Sequence, residues 1–320
     1  MDERKIHTGD IPRLGGLGFA PAFIIIAFFI SFSTRPYLGL SFLPPLMSMI
    51  LILVSGVLDD FRPVAPKYRL IIQIMAGLCV IIPGYTFSRL FFINIGGLSE
   101  LTWIRYPLSL LWIVGLINAM NFIDGVDGLA GGIAVLIAIT YACIFAHYSG
   151  NHSAALLCIC LAAVIGGFLI FNAPVPKARI FMGDGGAYFL GAGLAILPLI
   201  NKGSTRPALP LAYAAALLII PLFDIISAIW RRIRDKRRID SPDMSHIHHK
   251  LKNVGLNDRE DDGVLYGLQI ILCVLVFFSV KVQGFRSLVL LGSAYFTGIG
   301  FFAVIHFLNR RSLRTRTEIP

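Results

Sequence analysis

Charge is what this sequence has least of. Of its 320 residues 14% are Asp, Glu, Lys or Arg, against 56% hydrophobic, and the mean hydropathy is +0.77. Soluble domains carry about a quarter charged residues, so this composition excludes one. No polar stretch long enough to form a separate domain interrupts the apolar runs, and residues 1–320 read as a single membrane domain. Period-2 alternation is missing as well. That excludes the strands of a transmembrane barrel and leaves helices. Cysteine is sparse and odd in number: Cys79, Cys143, Cys158, Cys160 and Cys273 all lie inside apolar runs. Core packing explains them better than disulfides or metal binding. No cleavable signal opens the chain, which starts with the polar run Met1–His7, and no inverted internal repeat of the transporter kind is visible.

A membrane-crossing helix needs roughly 20 mostly apolar residues. Ten segments qualify, some of them short: 17–33, 43–58, 69–84, 107–122, 132–149, 153–171, 185–200, 208–230, 264–281 and 287–308. The expected fold is all-α, a polytopic integral membrane protein of about ten transmembrane helices. With the N-terminus inside, ten crossings leave only Arg35, Arg89, Arg105, Lys202, Arg206, Lys281 and Arg286, of 28 Lys and Arg, in outer loops. Basic residues collect in cytoplasmic loops, so both termini are expected in the cytosol. The net charge of +10 is then an orientation signal, and no nucleic-acid partner is expected.

Acids separate more sharply still, with Glu100 alone facing out. Acidic side chains contribute little to topology, so chemistry is the better explanation for their clustering. Four polar motifs share the inner face: Gly56-Val-Leu-Asp59-Asp60, the stretch from Asn118 and Asn121 through Asp124 and Asp127 to Gly132, the linker from Asn172 through Phe181 to Asp184-Gly-Gly, and Ser241-Pro-Asp243-Met-Ser-His246-Ile-His248-His249. The last sits in a long loop, 231–263, read as the substrate-recognition segment. Motifs distant in sequence on one side form the pattern of one assembled site, with its loops in the cytosol.

Five carboxylates, Asp59, Asp60, Asp124, Asp127 and Asp184, suit a hard divalent cation, because magnesium takes oxygen ligands: one or two carboxylates plus substrate phosphates. Five exceed what one ion needs. Some must abstract a proton or hydrogen-bond a sugar or base, unless they cap helices and pair with Lys67, Arg69, Lys177 or Arg179. The fifth and seventh helices begin beside Gly128–Gly132 and Gly183–Gly186. Helix starts present N–H groups and a positive dipole end that favour phosphate, and glycine permits close approach. Beside acids and a metal this suggests a pyrophosphate. His246, His248 and His249 are crowded for a tetrahedral zinc site with no cysteine nearby, and fit better as hydrogen-bond donors to phosphate or sugar. Arg231, opening the run Arg231–Arg238, is a candidate phosphate contact or a partner of anionic headgroups. Asp224, inside the eighth span, is either a structural acid or a reactant.

These motifs, with the opening Arg4-Lys5-x-His7 and Ile11-Pro-Arg-Leu-Gly15-Gly16, resemble those of the polyprenyl-phosphate N-acetylhexosamine-1-phosphate transferases along nearly the whole chain. The Ser-Pro-Asp…His-Ile-His-His form is similar to the bacterial N-acetylglucosamine-1-phosphate branch more than to the muramoyl-pentapeptide branch. Members usually carry a further membrane helix before the Arg-Lys-x-His loop, where this chain begins, and Ala187 stands where serine is common. The resemblance implies transfer of a sugar-1-phosphate, most simply GlcNAc-1-phosphate, from a UDP-N-acetylhexosamine to undecaprenyl phosphate. UMP is released, in the first membrane step of a cell-envelope polysaccharide. It implies Mg2+, with Mn2+ as the alternative ion, and a bacterial inner membrane location. Asp184 would be the principal metal ligand with Asp127. Asp59 and Asp60 would lie beside the metal and lipid phosphate, and Asn121, Asp124 and Asp127 on the nucleotide sugar. Phe181 would face the uracil, and His246, His248 and His249 would hold diphosphate or sugar oxygens. Asn118, Asn172 and Arg231 complete the substrate-binding set, and a second copy of the chain is a candidate partner. The rival classes are an ion-coupled transporter, whose acids belong near midmembrane on broken helices, and a non-catalytic scaffold.

Overall fold

The computed structural model describes residues 11–34, 38–91, 93–95, 102–173, 177–200, 209–238 and 246–317. Among them there is no β-strand, and the chain is a bundle of helices: α1 Gly15–Ser33, α2 Leu43–Phe61, α3 Pro66–Ile81, α4 Arg105–Ile123, α5 Leu129–Ile144, α6 His152–Asn172, α7 Gly183–Ile196, α8 Leu211–Leu217, α9 Ile219–Arg234, α10 Ile247–Val254, α11 Asp258–Lys281 and α12 Phe285–Thr317. Proline opens α2 and α3, where a missing N–H loses nothing. Asn151 caps α6, and Asn257 with Glu260 forms a reciprocal capping box on α11.

Seven helical stretches among the described residues are long and apolar enough to cross a membrane, and an eighth qualifies if the bent pair α8–α9 counts as one span. The protein is multi-pass. Each expected span is a helix, but α3 and α7 have only 16 and 14 residues, short of a full bilayer crossing by themselves.

The expected span 208–230 is not straight. α8 and α9 meet at 84°. Pro221 has no N–H to offer the Leu217 carbonyl one turn earlier. Instead the fully buried Gln269 of α11 donates its side-chain Nε2 to that carbonyl at 3.0 Å. A broken helix is tolerated in a membrane only where its freed backbone groups find such partners.

α7 is the hub. Gly185 through Ile196 are all buried, and the helix packs against α1, α2, α4 and α5. Lipid is as apolar as leucine, so membrane helices associate by close packing of small residues rather than by a hydrophobic drive. A Cβ on Gly56 of α2 would sit 2.5 Å from the Cα of Gly185. Other bulky apolar side chains point outward: Phe29 of α1, Leu111 of α4, Ile170 of α6 and Phe296 of α12 are all exposed. This outward-facing surface is what lipid solvates.

α12 is longer than the expected 287–308. Its last turns reach α10: Ser312 Oγ donates to the Asn253 carbonyl at 2.7 Å, and Asn253 Nδ2 to Asn309 Oδ1 at 3.0 Å.

Candidate active site

The site is built where α2 and α4 end and α5 and α7 begin. Asp59 and Asp60, adjacent at the end of α2, take different directions, as neighbours on a helix must. Asp59, buried, accepts the Val64 N–H at 2.6 Å and Arg69 Nη1 at 2.8 Å; the same guanidinium reaches Tyr188 Oη of α7 at 3.2 Å. Asp60 turns to α7, where Oδ1 accepts the Asp184 N–H at 2.8 Å and Oδ2 the Gly185 N–H at 3.0 Å. Gly183 makes this geometry possible. Its φ is +75°, and a side chain there would collide with the Arg13 carbonyl and with Asp60 Oδ2.

That arrangement corrects one expectation. The start of α7 does not offer these two N–H groups to a phosphate, because the Asp60 carboxylate already occupies them. At the start of α5 the same limit applies, since the Gly128 N–H is taken by Asn172 Oδ1 and the Leu129 N–H by the Val126 carbonyl. Both residues of the pair also do what any acid at a helix end can do: Asp59 pairs with Arg69 and Asp60 caps a helix.

From α4, Asn121 Nδ2 donates to Asp184 Oδ1 at 2.7 Å, tying the α4 end to the α7 start. Asn118, one turn earlier, faces α3: its Nδ2 donates to Gln73 Oε1 at 2.7 Å. Beyond α4 the chain turns through Asp124 and Asp127. Burial first, then the charges of Asp184, Asp127 and Asp60, push the Asp124 carboxyl well above the usual carboxylate range. Carboxylates that disturb one another in this way are close neighbours, and each disfavours the ionised form of the next.

Asn172 closes the turn from the α6 side. Its Oδ1 accepts the Gly128 N–H at 2.9 Å and its Nδ2 donates to the Ile180 carbonyl at 3.0 Å. Phe181 is half-buried and held by its backbone, its N–H donating to the Pro12 carbonyl and its own carbonyl accepting from Gly15, both at 2.9 Å.

The histidine segment docks on the same turn. His246 precedes α10, its Nδ1 2.7 Å from Asp224 Oδ2 of α9, while the Ile247 N–H donates to Asp224 Oδ1 at 2.9 Å. The His246 ring lies 5.2 Å from that of Phe122, and Arg232 stacks on Phe122 at 5.4 Å. His248 packs on the turn, its Cε1 2.9 Å from where a Cβ on Gly125 would stand. Burial and the charge of His249 bring the His248 pKa down to about 3, so this imidazole is neutral at ordinary pH, and its Nδ1 is buried with no hydrogen-bond partner. Arg231 sits half-buried in the last turn of α9, where its charge acts on Asp235.

Thus Asp60, Asp124, Asp127, Asp184, Asn121 and the histidines assemble at one end of the bundle. Asn118 and Asn172 hydrogen-bond to protein groups, bracing the site from α3 and from the linker. The motif residues Arg4, Lys5, His7, Ser241 and Asp243 lie outside the described residues. Three contributors escaped the sequence reading: Tyr188, Tyr266 and Asp262. Tyr188 joins Arg69, already a candidate partner of the acids, at Asp59, and Tyr266 of α11 donates its hydroxyl to the Gly128 carbonyl at 2.7 Å. Asp262 lies one turn before Tyr266, with Oδ1 buried and unpartnered and its Oδ2 3.7 Å from where a Cβ on Gly128 would stand. An acid at the mouth of a predicted span was the available signal for it.

The donor set is wholly oxygen and carries excess negative charge, which fits a hard cation. Among the described residues no three His, Cys, Asp or Glu side chains close on one point as a ready cage. A Mg2+ site completed by substrate phosphates and water needs no such cage.

The fold and site together define a multi-pass helical membrane protein whose polar chemistry is gathered at helix ends. Residues 42–202, which hold every motif except the histidine segment and the N-terminal run, match the model of the glycosyl transferase family 4. The chain is 35% identical over 268 residues to the probable undecaprenyl-phosphate N-acetylglucosaminyl 1-phosphate transferase of Bacillus subtilis (strain 168), covering 82% of this chain and 72% of that protein. It is 30% identical over 339 residues to the decaprenyl-phosphate N-acetylglucosaminephosphotransferase of Mycobacterium leprae (97% and 83%). It is also 30% identical over 271 residues to the undecaprenyl-phosphate alpha-N-acetylglucosaminyl 1-phosphate transferase of Escherichia coli K12 (80% and 69%). The chain belongs to glycosyl transferase family 4. Neither these relatives nor the placement of the acids at helix ends supports a transporter.

Proposed function

We propose that this protein transfers N-acetylglucosamine-1-phosphate from its UDP derivative to undecaprenyl phosphate, leaving a lipid-diphosphate-linked sugar and UMP. One observation carries the reading of the site. Asp60 and Asp184 are 124 positions apart, yet joined through an N–H, and both act on the charge of Asp124 together with Asp127. That much negative charge at a membrane protein's helix ends is a binding site for cation and phosphate rather than a structural convenience.

In this reading Asp184 and Asp127 hold Mg2+, or Mn2+ in its place. When bound, the ion neutralises the diphosphate and polarises the phosphorus under attack. The residues of the chain position and stabilise. Asn121 orients the Asp184 carboxylate. Asp60 fixes the start of α7 that carries it, and Arg69 with Tyr188 hold Asp59 beside it. Asp124, beside Asp184 and Asp127, hydrogen-bonds a sugar or ribose hydroxyl. Phe181 offers an aromatic face to uracil, and His246, His248 and His249 donate to diphosphate oxygens. Phosphoryl transfer asks mainly for positioning and charge stabilisation. The acceptor is already an anionic phosphate, so no residue is needed as a strong base.

The same reading carries ten crossings, α3 and α7 included, both termini in the cytosol, and the site at the inner leaflet of a bacterial cytoplasmic membrane. Residues 1–320 act as one domain with 231–263 as the recognition segment. The test is exchange of labelled UMP into UDP-GlcNAc, UDP-GalNAc and UDP-MurNAc-pentapeptide by purified protein with undecaprenyl phosphate. Mg2+-dependent exchange with UDP-GlcNAc is expected, and its absence with every donor would refute the activity.

A further inference from the structure

Asp224 lies inside α9, 1% exposed, and is not one of the five carboxylates gathered from the other motifs. Both of its oxygens are spent on one segment: Oδ2 faces His246 Nδ1 at 2.7 Å, and Oδ1 accepts the Ile247 N–H at 2.9 Å. With Asp224 as a carboxylate, which can only accept, the 2.7 Å contact places the hydrogen on His246 Nδ1. The ring is thereby fixed in tautomer as well as orientation, and Nε2 is the nitrogen left for a ligand.

The fixed ring is the first of a row. The His246 and His248 rings lie 6.0 Å apart and 11° from parallel, and those of His248 and His249 are 4.2 Å apart. Phe122, the residue after Asn121, backs the His246 ring at 5.2 Å, and His248 rests on Gly125. α10 begins at Ile247, so the bond to its N–H also sets where the helix that carries His248 and His249 starts. Arg232, two turns after Asp224, packs over the other ring of this contact, Phe122.

We propose that Asp224 is a positioning residue of the transfer reaction: by accepting the Nδ1–H of His246 it orients the ring and stabilises its imidazolium, the form in which Nε2–H donates to a phosphate oxygen of the donor, and it sets the register of the imidazole row against the Asp124–Gly128 turn. This rests on the transferase reading above. Asn in place of Asp224 is nearly isosteric but keeps both contacts only by donating to Nδ1, which forces His246 into the opposite, Nε2–H tautomer and removes the charge that stabilises the imidazolium.

The test is a double-mutant cycle in purified enzyme, scored by UMP exchange with UDP-GlcNAc, alongside 15N NMR of histidine-labelled wild-type protein. Asp224→Asn should lower kcat on the order of 10- to 100-fold, the range typical of losing a carboxylate that orients a functional histidine. His246→Ala should do at least as much, and the double variant no more than His246→Ala, because the first residue acts through the second. The NMR spectrum should show a protonated Nδ1 on His246. Multiplying losses, wild-type turnover in Asp224→Asn, or a His246 protonated on Nε2 alone would overturn the proposal. The spectrum decides even if Asp224→Asn fails to fold. A wild-type enzyme with the expected tautomer but no exchange would sink the transferase reading and leave the geometric assignment standing.

Discussion

Asp184 is the residue on which the site converges: it receives Asn121 through its side chain, gives its own N–H to Asp60, and acts on the charge of Asp124. Replacing it by Asn keeps the shape and the backbone bond while removing the charge. Asp184→Asn should therefore cut Mg2+-dependent exchange at least about 100-fold, the scale of losing one preorganised electrostatic group. Its thermal midpoint in detergent should stay within a few degrees of wild type. Activity within about threefold of wild type would contradict the metal assignment. His248 gives a prediction of a different kind. Its folded pKa, about 3, lies below the roughly 6.5 of an unfolded histidine. The unfolded chain therefore binds the extra proton between those values. His248 contributes stability that is complete above about pH 6.5 and is lost as pH falls toward 3, by at most about 1.4 kcal/mol per pH unit. Thermal midpoints measured from pH 7 to pH 5 should fall more steeply for wild type than for His248→Gln. Equal slopes would show that the ring is not held neutral.

Much at this scale was legible in the sequence, because acids and amides in a greasy chain announce themselves. Asp59, Asp60, Asp124, Asp127, Asp184 and Asn121 stand out by type and position alone. Their partners do not. Nothing local says that Asp60 caps a helix 124 residues later, that Asn172 clasps Gly128, or that Asp224 belongs to His246, since each pairing exists only after packing. Tyr266 was invisible for the opposite reason: a tyrosine in an apolar run reads as interfacial or core until its hydroxyl is seen on the Gly128 carbonyl.

Among the elements, existence was easier to read than shape. Every apolar run is a helix, but the kink at Leu218 needed the coincidence of Pro221 with a distant glutamine, and the shortness of α7 reflects its place inside the bundle rather than in lipid. The site depends on how closely α7 can approach its neighbours, and that closeness is set by glycine. Gly56→Ala would place a methyl 2.5 Å from the Cα of Gly185, a backbone atom that cannot step aside. Overpacking of this kind costs about 1–3 kcal/mol, and here it also pushes α7, with Asp184, away from Asp60. The expected result is a lower thermal midpoint together with reduced exchange. Gly18→Ala in α1, where the added methyl meets nothing within 4 Å, should leave both unchanged. If the two variants behave alike, the close approach of α2 and α7 does not matter to the site.

For the whole molecule, the distribution of basic residues and the geometry of α4 lead to one arrangement in the membrane. α4 begins beside Trp103 and ends at Ile123, just past Asn121, so Trp103 and Asn121 mark opposite ends of the helix. Lys177, exposed in the linker just before α7, belongs to the Asn121 end. The ten-crossing topology proposed above would put that end in the cytosol, where Lys and Arg are retained. Single cysteines at Lys177 and Trp103, both exposed positions, in a background with the five native cysteines replaced, test this directly. A membrane-impermeant maleimide applied to intact spheroplasts should label Trp103→Cys and leave Lys177→Cys untouched until the membrane is opened. The reverse pattern would put the carboxylates outside. Labelling of both positions in sealed cells would mean that the stretch between them does not cross the bilayer an odd number of times, and the crossings assigned to α4, α5 and α6 would have to be redrawn.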